Sequence, residues 1–128
     1  MRRGSICLPL AALFAAAMSS PASAASGDMT VATFLSKYDA LLKKGLFALG
    51  SADAKLLKAE GEAAGEAYSA RLRADKAAGR APHSCPPPRG RLSQNEFIRG
   101  VQQYPSASRG QVTLKMAVAD LMRKKFPC

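Results

Sequence analysis

The chain has 128 residues with 19 basic and nine acidic side chains, a formal net charge of +10, and 48% hydrophobic residues. This length accommodates one small domain, marginal in the apolar surface it can bury. Catalysis by a histidine-rich or metal-rich centre is also poorly supplied, because His83 is the sole histidine and only three cysteines, Cys7, Cys85 and Cys128, are present.

The first 24 residues read as an export signal. Arg2 and Arg3 form a short positive region, residues 6–18 are apolar except for a break at Pro9, and Ala22-Ser23-Ala24 supplies the small side chains a signal peptidase requires. Cleavage is expected after Ala24, and the apolar run is too short for a membrane-spanning stop-transfer helix. Cys7 leaves with the signal. It precedes most of the apolar core, where a lipid-anchored cysteine would follow it. The expected location is the periplasm or the exterior. Cys85 and Cys128 then remain, and an intramolecular disulfide is the simplest reading, with free thiols or an intermolecular bridge as alternatives. Closing a loop of 43 residue steps corresponds to about 4 kcal/mol in the chain-entropy picture. His83 and Cys85 lie close in sequence, but no second ligand pair follows at zinc-site spacing.

Removing Arg2 and Arg3 leaves 17 basic and nine acidic residues, a net charge of +8. Residues 25–70 hold five basic and six acidic side chains, whereas residues 71–128 hold twelve and three. The second half therefore carries the field that would attract an anionic partner. In an exported protein nucleic acid is not the expected target; acidic proteins, lipid headgroups and anionic wall polymers are. Arg99, Arg109, Arg123, Lys124 and Lys125 are the candidate partner-binding residues, with a solvated basic surface as the alternative.

Helical periodicity dominates the mature chain and predicts an all-α, four-helix domain over residues 25–128. Val31, Phe34, Leu35, Tyr38, Leu41 and Leu42 make one apolar stripe, with Thr30 as its N-cap and Gly45 as its stop. Asp39 and Lys43 are spaced to pair one turn apart. Residues 46–50 read as a short apolar connector packed under its neighbours. A second, alanine-rich helix is predicted after Ser51 and to about Ala78, completing a helical half over residues 30–78. Gly61, Gly65 and Tyr68 mark a candidate helix-contact face on it. Each glycine costs roughly 1 kcal/mol against alanine, and a close backbone approach from another helix or a second copy would account for both.

Residues 79–92 change character. Pro82, Pro86, Pro87 and Pro88 forbid regular helix and predict an extended crossover held at Cys85. Residues 93–128 form a basic helical hairpin. Ser93-Gln94-Asn95-Glu96 matches a capping box, Leu92 and Phe97 a hydrophobic staple, and Phe97, Ile98, Val101 and Tyr104 the inward face up to Pro105. A fourth helix is expected over residues 111–125, with Leu114, Ala117, Val118, Leu121 and Met122 inward and Arg123, Lys124 and Lys125 at its negative end.

Cys85-Pro86, the capped helix ending Gln103-Tyr104-Pro105, a second helix and the closing Phe126-Pro127-Cys128 resemble the C-terminal half of the Tai-type periplasmic immunity proteins of type VI secretion. The resemblance covers residues 85–128 and implies a small exported helical protein, often dimeric, that binds and blocks a secreted cell-wall amidase. Family members carry a further cysteine pair beside a Tyr-containing small-residue helix. Glu66-Ala67-Tyr68-Ser69-Ala70 matches that helix, and the cysteine pair is absent. The matched positions are structural, so the resemblance assigns no toxin-contacting residue.

Two other binding functions fit the same size and charge: a periplasmic holding chaperone, and an envelope-surface protein that binds anionic polymers. An enzyme is the opposing class. Its only carriers are His83, in a proline-rich segment without a nucleophile elbow, and the cluster Glu60, Glu62 and Glu66, of which Glu62 and Glu66 share a wet face near Lys58. No cofactor, metal site or transmembrane segment is expected in the mature chain.

Overall fold

The computed structural model describes residues 25–128, so the expected export signal, residues 1–24, lies outside the described residues. Local chemistry sets each helix start. Thr30 accepts the Thr33 amide at the head of α1, Val31–Lys44. Ser51 accepts the Ala54 amide at the head of α2, Ala52–Ala77. Ser93 and Glu96 complete the expected capping box on α3, Gln94–Gln102. Thr113 accepts the Met116 amide at the head of α4, Leu114–Lys125. Each such cap is worth about 1 kcal/mol. Gly45 ends α1 at φ +72°, in the left-handed region that favours glycine.

The four helices share one core. Val31, Phe34 and Leu35 from α1 meet Leu57, Ala64 and Tyr68 from α2, Val101 from α3, and Leu114, Ala117, Val118 and Met122 from α4. Burial of each large apolar side chain contributes about 1.5–3 kcal/mol. Phe34 and Phe97 add an edge-to-face contact with centroids 5.4 Å apart. Among the described residues the only strand-like pairing is an isolated antiparallel bridge between Thr30 and Thr113.

That bridge explains how the ends of α1 and α4 are satisfied. A helix leaves its first amides without internal partners. Here Val31 donates to the Val112 carbonyl at 2.8 Å and Ala32 to Arg109 at 2.9 Å, while Leu114 donates to Met29 at 2.9 Å and Lys115 to Gly27 at 3.1 Å. The extended Val112-Thr113 segment is needed for this lacing. It delays α4 to Leu114, three residues beyond the predicted start at Gln111.

Three further expectations are corrected. Within the chain no other helix closely approaches Gly61 or Gly65: a Cβ built on either meets nothing within 4 Å. The buried face of α2 runs through Leu57, Glu60, Ala64 and Tyr68, one position away and hence about 100° round the helix. Close approach occurs instead at Gly27, where a Cβ would lie 2.7 Å from the Ala64 nitrogen, and at Gly100, where it would lie 2.5 Å from the Leu121 side chain. Tyr68 is buried as part of that face and serves the core.

Asp39 and Lys43 form no ion pair among the described residues; Lys37 reaches Asp53 across the α1–α2 corner at 2.8 Å. The apolar connector is also not packed beneath its neighbours. It is a 3-10 turn, Gly45–Gly50, that buries Ala48 and leaves Leu46, Phe47 and Leu49 in solvent.

The crossover leaves α2 at Gly79 and returns along the end of α4. Cys85 donates its amide to the Phe126 carbonyl at 2.8 Å. Cys85 and Cys128 are joined by the expected disulfide, with Cα atoms 4.9 Å apart.

Candidate functional site

The five basic candidates do not form one surface. Arg109 is a backbone clamp: its Nε donates to the Tyr104 carbonyl at 2.8 Å and its terminal nitrogen to Gln102 at 2.7 Å. These carbonyls lie at the negative end of α3, so the guanidinium satisfies orphan acceptors and the helix dipole together. Lys125 is similarly committed, donating to the Arg91 carbonyl at 2.9 Å and to Glu96 at 2.8 Å. The Lys125 ammonium first, then the Ser93 amide and hydroxyl, hold the Glu96 carboxyl down to about 2.

Arg99, Arg123 and Lys124 are exposed and have no hydrogen-bonded or ionic partner among the described residues. Arg99 and Lys124 border an open groove of about 330 Å³ between α3 and α4, together with Leu92, Gln103 and Leu121. Glu96 lies in the same groove and offsets part of its charge. Arg123 instead acts on His83. The hairpin therefore presents dispersed cations.

A second groove, about 400 Å³, lies between α2 and α4 and is lined by Tyr68, Arg71, His83, Lys115, Met116 and Asp120. At its edge the Tyr68 hydroxyl hydrogen-bonds to both Ser84 Oγ and His83 Nδ1. Ser84 is fully enclosed, so its hydroxyl fastens the crossover to α2 and is not presented to a substrate. Burial first, then the charges of Arg71 and Arg123, push His83 below its ordinary range. On the groove's far side Tyr104 donates to Asp120 at 2.7 Å, and burial followed by that bond raises the Tyr104 phenol.

The clustered carboxylates of α2 diverge. Glu62 pairs with Lys58 and Glu66 with Arg73 on the wet side. Glu60 turns inward and accepts the amides of Ser26, Gly27 and Met29 at 3.1, 2.8 and 3.3 Å. Among the described residues no three His, Cys, Asp or Glu side chains converge as a metal site. No helix among them is long and apolar enough to cross a membrane.

The most pronounced surface feature centres on the apolar connector expected to pack under its neighbours. Phe47 is 100% exposed, Leu46 83%, Leu49 74% and Leu42 61%, and Leu56 joins them from the first turns of α2. The tight turn produces this arrangement. Gly45 reverses the chain at the end of α1, Ala48 plugs inward, and the residues on either side of it have no neighbouring layer to enter. Lys43, Lys44 and Lys55 are exposed beside this knob. Behind it the Lys37–Asp53 pair ties α1 to α2, and its hydrogen bond holds the Asp53 carboxyl below the usual carboxylate range. Contiguous exposed apolar side chains of this kind mark an interaction surface.

No family model matches this chain, and no curated protein or solved structure shows significant similarity to it.

Proposed function

We propose that this protein is an exported protein-binding module that docks through the apolar knob of Leu42, Leu46, Phe47, Leu49 and Leu56. The observation that carries the reading is Phe47, wholly exposed on a turn anchored by Ala48 and backed by an inter-helix ion pair. An aromatic side chain held out in water gains about 1.5–3 kcal/mol when a partner encloses it, and little ordering entropy opposes that gain on a fixed turn. Lys43, Lys44 and Lys55 favour a partner whose apolar cleft has an acidic rim.

The motif in residues 85–128 supports an immunity role in the periplasm, with a secreted cell-wall amidase as the partner whose cleft the knob plugs. The test is a binding and inhibition assay at neutral pH with purified secreted cell-wall amidases. The expected result is a stable complex and loss of amidase activity, with at least roughly 30-fold weaker binding for Phe47→Ser, the size of an interface hot spot. Three outcomes contradict it. Suppression of client aggregation only after acidification identifies a holding chaperone. Salt-sensitive binding to anionic lipid or wall polymer, lost on neutralising Arg123, Lys124 and Lys125, identifies an envelope-surface protein. A dimer that dissociates on Phe47→Ser assigns the knob to a second copy of this chain.

A further inference from the structure

Glu60 is 7% exposed, yet no Lys, Arg or His side chain pairs with it among the described residues. Its carboxylate instead gathers backbone amides from one short strap: Oε1 takes Ser26 and Oε2 takes Gly27 and Met29. The strap is fixed on its other side as well. Gly27 lies against Ala64 with no space for a Cβ, and its carbonyl accepts the Lys115 amide at the head of α4. The strap begins at Ser26, one residue beyond Ala25, which follows the Ala22-Ser23-Ala24 processing motif.

We propose that Glu60 is the receptor for the α-ammonium group released when the signal is cut after Ala24, so that processing completes the fold. Consecutive backbone nitrogens are separated by no more than about the Cα spacing of 3.8 Å. The Ala25 nitrogen is therefore close to Ser26 N, which lies 3.1 Å from Glu60 Oε1. In the precursor that nitrogen is a neutral peptide amide. In the processed chain it is an ammonium, and an ammonium facing an enclosed carboxylate makes a charge-assisted contact of about twice the usual strength. The precursor consequently has a weaker strap, and with it weaker anchorage of the first turn of α4, until it has left the compartment where it was made.

The inference rests on the export reading, and two separate readouts divide them. Intact mass of the protein recovered from the envelope should start at Ala25; any other amino terminus overturns the proposal and bears on the processing site alone. Stability is then compared for the free-amine chain, its α-acetylated form and a form exported with one extra glycine before Ala25, each with Glu60 and with Glu60→Gln. Acetylation or extension should lower the folding constant roughly tenfold with Glu60 present and less than twofold in Glu60→Gln. Equal losses in both backgrounds, or none in either, overturn the proposal. Should Glu60→Gln not fold, acylation of the α-amine decides: it should proceed at least roughly tenfold slower in the native than in the unfolded chain, and equal rates overturn the proposal.

Discussion

The knob between α1 and α2 and the basic hairpin of α3 and α4 use their conspicuous residues in opposite ways. The hairpin carries most of the positive charge, yet Arg109 and Lys125 spend theirs on backbone carbonyls and on Glu96 of the same chain. The knob carries leucines and a phenylalanine expected to pack under their neighbours, yet Phe47 touches solvent on all sides. Charge can thus be spent on holding the fold while apolar side chains stand outside it. What separates the two is whether a neighbouring element is there to receive the side chain.

Breaking the disulfide should separate the regions most strongly. Cys85→Ser with Cys128→Ser removes the 43-residue closure and should cost up to about 4 kcal/mol, read from urea melts. Hydrogen exchange should quicken in the crossover and the end of α4, which Cys85 and Phe126 hold together, before it changes in α1 and α2. Next in size is Arg109→Ala, which leaves the end of α3 without its donors and should cost about 1.5–3 kcal/mol. Equal costs for Arg109→Ala and Arg123→Ala would erase the distinction between structural and free cations.

Acid should act first on the crossover, through His83, and then on the hairpin, through Glu96. Glu96 titrates near 4.5 when unfolded and about 2 when folded, so its contribution is complete above pH 4.5 and is lost as pH falls toward 2. His83, also depressed, works in the same direction from its ordinary value of 6.5 downward: the unfolded chain takes up its proton first, so stability falls with pH. A pH series of urea midpoints checks this, and Glu96→Gln should flatten its lowest limb. The smallest stability effects are expected at uncommitted surface positions. Arg99→Ala, Arg123→Ala and Phe47→Ser should each stay within about 0.5 kcal/mol of the parent.

Much of the fold was legible because its signals are local. Thr30, Ser51 and the Ser93 to Glu96 box each cap a helix through their own side chains, and helical spacing identified most of the core. The α4 start was missed because Val112-Thr113 is drawn into an extended pairing with Met29-Thr30, a contact about 80 residues away in sequence. Gly61 and Gly65 misled because an alanine-rich helix supports several small-residue faces. Which face is buried depends on Gly27 and Glu60, and that choice is tertiary. The knob was hidden for a related reason. Periodicity marks leucines as apolar but does not show where a turn lifts them beyond the last packed layer.

Glu60 carried the weakest local signal. It was one of three clustered glutamates, and only its position between Leu57 and Ala64 on the inward face distinguished it from Glu62 and Glu66. The expected export signal and the resemblance of the tail rest on motifs alone. Their consequence for partner choice rests on the knob, to which neither motif points.

The most direct test measures affinity and stability together for Phe47→Ser and for the double variant Arg99→Ala, Arg123→Ala, with the amidase as partner. The account predicts that Phe47→Ser keeps parental stability and weakens binding at least roughly 30-fold, while the arginine variant weakens it less than about fivefold. Full affinity in Phe47→Ser with binding lost in the arginine variant would contradict it and return the docking role to the hairpin.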